Sequence, residues 1–83
     1  MEERVGVVSD YFAKIGVAAV SVEKEIQVGD TLHFKGHTTD LTQKVESMQI
    51  EHQSVAVAKA GDSVGIKVSE RVRKGDIVYK VLP

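Results

Sequence analysis

Gly61-Asp62-Ser63-Val64-Gly65-Ile66-Lys67-Val68 is the stretch that decides the fold. Val64, Ile66 and Val68 alternate with small or polar residues, which is the period of a strand with one buried face. The Gly-Asp pair marks the turn into that strand. Glycine reaches positive φ without a Cβ clash, and the aspartate side chain bonds back to nearby backbone N–H groups. The pair recurs at Gly29-Asp30 and Gly75-Asp76, each time just ahead of a strand-like run. These pairs are expected to set strand register.

Working outward, Thr31-Leu32-His33-Phe34-Lys35 alternates with Leu32 and Phe34 on one face. Strand runs are expected from Arg4 to Ser9 and from Lys14 to Val22, the latter apolar on both faces or kinked at Gly16. Ile26 and Val28 lead into the turn at Gly29-Asp30. Pairing resumes from Leu41 to Glu51, with a bulge expected near Ser47 because Val45 is out of phase with Met48 and Ile50. Val55 and Val57 form a short strand, Ser69 to Lys74 holds one helical turn, and Ile77 to Leu82 closes the chain. The expected core is Val7, Ile15, Val17, Leu32, Phe34, Val45, Met48, Ile50, Val57, Val64, Ile66, Val68, Ile77, Tyr79 and Val81. No segment keeps a helical period. Six or seven short strands predict one all-β domain over residues 1–83, a small closed antiparallel Greek-key β-barrel.

Composition narrows the function. A chain of 83 residues supports one modest core rather than an enclosed substrate cavity. There is no cysteine, which removes disulfides, thiol nucleophiles and Cys-containing zinc sites. With no staples and no apolar leader after Met1-Glu2-Glu3-Arg4, the expected location is cytoplasmic. No apolar run reaches membrane-spanning length. No phosphate-loop pattern is present, so GTP is not expected as a ligand. The seryl residues lie outside any G-x-S-x-G elbow. His33, His37 and His52 lack the spacing of a metal site and are expected to be exposed or bonded to nearby backbone. The reading is therefore no enzyme, no cofactor and no metal.

The net charge of −1 is unevenly spread. Residues 1–58 carry five Lys/Arg against nine Asp/Glu, whereas residues 59–83 carry six against three. If nucleic acid is bound, the phosphate contacts are expected from Lys67, Arg71, Arg73, Lys74 and Lys80. Rim contacts are expected from Tyr11 and from the polar loop at His37, Thr38, Thr39 and Asp40.

Several of these segments resemble a known family. Val28-Gly29-Asp30-Thr31-Leu32, Thr42 to Gln49, Ala60 to Ile66 and Arg73 to Val78 are similar to the second domain of elongation factor Tu and its relatives. Tyr11 to Ala18 and Gly36-His37-Thr38-Thr39-Asp40 look like the small standalone translation elongation factor-like proteins. A similar barrel also occurs at the C-terminus of some collagenase-like peptidases. The resemblance implies a six-stranded barrel of the translation-factor type. It also implies a non-catalytic module with RNA or a ribonucleoprotein as partner. The alternative is a protein-interaction or oligomerisation module with a protein partner and no nucleic acid. A third reading is a degenerate biotinyl or lipoyl carrier domain, since Glu46-Ser47-Met48-Gln49 resembles its Glu-Ala-Met-Lys hairpin with Gln49 in place of the acceptor lysine.

Overall fold

A computed structural model describes all 83 residues. The chain folds into β1 (Glu2–Phe12), β2 (Val17–Val22), β3 (Ile26–Gln27), β4 (Thr31–Lys35), β5 (Asp40–Lys44), β6 (Met48–Ile50), β7 (Gln53–Val55), β8 (Val57–Ala58), β9 (Ser63–Lys67) and β10 (Ile77–Val81). It is all-β, and the strands pair antiparallel throughout. One sheet runs β5-β4-β10-β1-β2-β9-β6-β7, and β3 pairs with β8 in a second. The helical turn expected over 69–74 does not form.

The three Gly-Asp pairs build one device three times. In Gln27–Asp30, Lys59–Asp62 and Arg73–Asp76, the aspartate N–H donates to the first residue's carbonyl at 2.9–3.0 Å. The first residue's N–H donates to the aspartate Oδ2 at 2.8 Å in all three. The glycines take φ of +99°, +93° and +93°, the third-position geometry of a type II turn. Each turn is then clipped to a buried valine by two backbone bonds. Gly29, Gly61 and Gly75 donate to the carbonyls of Val45, Val22 and Val8, whose own N–H groups donate back to the carbonyls of Asp30, Asp62 and Asp76. The residue before each turn (Ile26, Ala58, Val72) and the second residue after each Asp (Leu32, Val64, Val78) are buried. Sequence spacing, turn chemistry and core packing therefore coincide three times in one chain.

The core comprises Val5, Val8, Ala18, Val20, Val22, Ile26, Leu32, Phe34, Leu41, Val45, Met48, Ala58, Val64, Ile66, Val68, Val72 and Val78. Leu32, Phe34, Val45, Met48, Val64, Ile66 and Val68 stand where the alternation put them. Four expected strand phases are corrected. In β1 the register shifts between Arg4 and Gly6 against β10, and between Val8 and Asp10 against β2. Such bulges turn Val5 and Val8 inward and leave Val7 only partly buried. In β2 the inward residues are Ala18, Val20 and Val22 rather than Val17. In β8 Ala58 is buried while Val57 is exposed, and in β10 Val78 is inward with Ile77, Tyr79 and Val81 half-buried. Ile50 packs against the core without entering it, and Ile15 is exposed.

Candidate binding groove

Two hairpins rise at the edges of the three-strand unit β2-β9-β6. The first joins β1 to β2 through Ala13-Lys14-Ile15-Gly16. Gly16 N–H closes onto the Phe12 carbonyl at 2.9 Å with Gly16 at φ +65°. That tight loop throws Ile15 outward, 61% exposed, beside Phe12 at 48%. Tyr11, the other aromatic, packs against the core instead. The second hairpin joins β6 to β7 through Glu51-His52, whose φ values are +51° and +65°. Ile50 pairs with Gln53 across it, so this is a two-residue type I′ turn. Such turns favour Asn-Gly. Two bulky residues in the left-handed region cost on the order of 1 kcal/mol each. Backbone strain of this kind clusters at sites of function.

Between the hairpins lies a groove of about 220 Å³ lined by Phe12, Ile15, Val17, Ala19, Gln49, Glu51, His52, Ser63, Val64 and Gly65. Its floor is lowest at Gly65, which pairs with Ala19 on one side and Gln49 on the other. A Cβ at Gly65 would stand 3.2 Å from Val17 Cγ1, so even alanine would begin to fill the floor. The groove continues past Ile15 and Val17 to Ser47 and Lys67. Beyond it, the Gln43 side chain acts as a peptide group between two segments. Its Nε2 donates to the Lys67 carbonyl at 2.7 Å, and its Oε1 accepts from Ser69 N–H at 2.8 Å.

The residues expected to contact nucleic acid do not form one surface. Arg71, Arg73 and Lys74 line a shallow hollow with Asp10, Tyr11 and Val72. Lys67 lies at the far end of the groove. Lys80 is turned inward, its Nζ bonded to the Glu25 carbonyl at 2.8 Å and 3.2 Å from Asp30 Oδ2. In the rim set, His37 and Thr38 are exposed and Thr39 is buried. Gly36 N–H donates to the Thr39 carbonyl at 2.8 Å, pinning the loop. Asp40 faces His33. His33 was expected to be exposed or backbone-bonded. It instead bonds two carboxylates, Glu2 and Asp40. The carrier-domain motif has no matching geometry either. Met48 is 1% exposed in the core, and Gln49 sits mid-strand, with Glu51-His52 at the hairpin tip.

The groove walls escaped the sequence reading, which ran the second strand back to Lys14 and placed Ile15 inside. The available signal was Gly16. A glycine four residues after two adjacent aromatics marks a hairpin loop, and the residue before it is then presented outward.

No protein-family model matches the chain. It is 40% identical over 76 residues to an uncharacterized protease of Methanocaldococcus jannaschii, covering 90% of this chain and 19% of the relative. It is 39% identical over 72 residues to a collagenase of Porphyromonas gingivalis, covering 84% of this chain and 20% of the relative. The chain thus spans about one fifth of the length of the curated relatives it matches. Its fold matches two crystal structures of the C-terminal domain of a Geobacillus thermoleovorans protein assigned to the U32 peptidases. One has a TM-score of 0.90 at 24% identity, covering 96% of this chain and 93% of that one. The other, a selenomethionine variant, has a TM-score of 0.87 at 24% identity, covering 92% and 96%. These findings correct the elongation-factor resemblance and what was drawn from it: the non-catalytic module contacting RNA, its protein-interaction and carrier alternatives, and the expectation that the chain is no enzyme. The features that suggested translation factors were Gly-Asp turns and alternating valines, and the clip geometry shows that these serve the fold rather than any one partner. What the chain is similar to, over most of its own length, is a one-fifth stretch of proteins named protease and collagenase.

Proposed function

We propose that this chain is the β domain of a U32-type peptidase and serves proteolysis by holding an extended polypeptide in the groove between the β1–β2 and β6–β7 hairpins. The observation that carries the reading is the groove itself. Phe12 and Ile15 are exposed beside a floor of glycine and alanine. A small-residue floor admits a polypeptide backbone closely, and an apolar wall gives its side chains a seat. The relatives' names, protease and collagenase, point to polypeptide as the substrate class.

Closure of the eight-stranded sheet into a Greek-key barrel is part of this proposal. It is supported by Gln43 of the edge strand β5, whose side chain bridges to Lys67 at the end of β9 and to Ser69 just beyond it, on the far side of the sheet. Closure would hold the two hairpins at a fixed separation.

The magnitude is modest. Covering the exposed parts of Phe12 and Ile15 contributes on the order of 2–3 kcal/mol. With a few backbone hydrogen bonds added, a dissociation constant of roughly 0.1–1 mM is expected for a short peptide. The test is fluorescence anisotropy of a labelled gelatin-derived peptide titrated with the chain. Ile15→Asp should weaken binding by about tenfold or more while leaving the unfolding midpoint in place. Unchanged affinity in Ile15→Asp and Phe12→Ser would remove the groove from the function.

A further inference from the structure

On the opposite part of the sheet, His33 of β4 lies between two carboxylates. Its Nδ1 is 2.8 Å from Glu2 Oε2 on β1, and its Nε2 is 2.5 Å from Asp40 Oδ1 at the end of the 36–40 loop. An ionised carboxylate only accepts, and a neutral imidazole has a single N–H. Both contacts are hydrogen bonds only when the ring is imidazolium. On losing a proton, one ring nitrogen would turn its lone pair toward a carboxylate oxygen. That contact becomes repulsive, and the partner with open solvent to turn into is the one to leave. Asp40 is that partner, its side chain 78% exposed against 39% for Glu2.

The neighbours define the titration. Tyr79 of β10 lies against the ring, centroids 6.3 Å apart and tilted 44°. Thr42 of β5 pairs directly with His33. Strand alternation puts Thr31 and Lys35 of β4 and Lys44 of β5 on the same face as His33. Arg4, which pairs with Tyr79, is engaged by Glu23 at 2.9 Å. Lys80 points to the other side, held by Asp30.

We propose that His33 is a proton-dependent clasp: as imidazolium it fastens the 36–40 loop and the start of β1 to the sheet, and deprotonation releases Asp40 and loosens the loop. The bond to Asp40, with a smaller contribution from Glu2, raises the His33 pKa above its ordinary 6.5 against the opposing effect of burial. The sign follows from that direction. A group bound more tightly by protons in the folded state contributes stability that is full below the unfolded value. That contribution is lost as pH rises through the folded one.

The experiment follows thermal unfolding from about pH 5.5 to 9 for the wild type, His33→Gln and Asp40→Asn. His37 and His52 remain in every variant, so their titration cancels in the comparison. The wild-type midpoint should fall by about 2–5 °C relative to His33→Gln as pH rises above about 6.5. In Asp40→Asn the fall should shrink. Parallel pH curves for wild type and His33→Gln would overturn the clasp. A second reading, independent of stability, is the ring ¹⁵N spectrum of His33. Both nitrogens should carry protons at pH 6.5, and a single-tautomer neutral ring at that pH would also overturn it.

Discussion

Two regions of one sheet use their surface in opposite ways. Around β1-β10-β4-β5 most charged side chains have a partner. Arg4 grips Glu23 through two bonds of 2.9 and 3.1 Å, Lys24 reaches Glu3, Lys80 reaches Asp30, and His33 joins Glu2 to Asp40. The Glu23 carboxylate holds the Arg4 guanidinium still more firmly protonated than usual. Exposed pairs of this kind add little stability singly. Over β2-β9-β6 the reverse holds. The floor is Gly65 and Ala19, the walls are Phe12 and Ile15, and the turn at Glu51-His52 is strained. A face that spends its side chains on itself is structural. The face that leaves large apolar groups uncovered and holds a turn under strain is the one proposed to meet something outside the chain.

The contrast can be broken most severely with two phenylalanines. Phe34 is fully buried beneath the paired face, and Phe12 is half exposed at the groove. Phe34→Ala should cost about 3–5 kcal/mol in urea unfolding, and Phe12→Ala less than about 1 kcal/mol. Comparable losses would mean that the groove wall is core after all. Next in size is the turn clip at Asp76. Its carboxylate is buried and bonds Arg73 N–H at 2.8 Å. Asp76→Ala should cost about 1–3 kcal/mol, more than Asp62→Ala at the less buried second turn. Equal losses would show that burial of the clip does not set its worth. The smallest effect has the opposite sign. Replacing Glu51-His52 by Asn-Gly should relieve the type I′ turn and raise stability by about 1–2 kcal/mol. No gain in the unfolding midpoint would mean that the turn stores no strain.

Much of this architecture is legible in the residues, and the failures have physical causes. Leu32-x-Phe34 and Val64-x-Ile66-x-Val68 have polar or small partners at the intervening positions, so the phase is unambiguous. Val17-Ala18-Ala19-Val20 and Ile77-Val78-Tyr79 are apolar in both phases, so alternation cannot choose a face. In β1 two bulges place Val5 and Val8, three residues apart, on the same side, which no period-2 pattern reveals. Val72 is core although it sits among Ser69, Glu70, Arg71, Arg73 and Lys74, because the turn that follows it must be anchored. The groove was the least legible part. It depends on which way a single hairpin loop throws Ile15, and that is fixed by Gly16 at φ +65°. The His33 clasp joins residues 31 and 7 positions apart in the chain and leaves no local pattern.

Polypeptide binding at the open face can be mapped through the backbone amide shifts of the ¹⁵N-labelled chain as the gelatin-derived peptide is added. The shifts should concentrate at Phe12, Ile15, Ala19, Gln49 and Gly65, while the amides of Glu2, His33, Tyr79 and Lys80 stay in place. Shifts confined to the hollow of Arg71, Arg73 and Lys74, or to the paired face around His33, would contradict it.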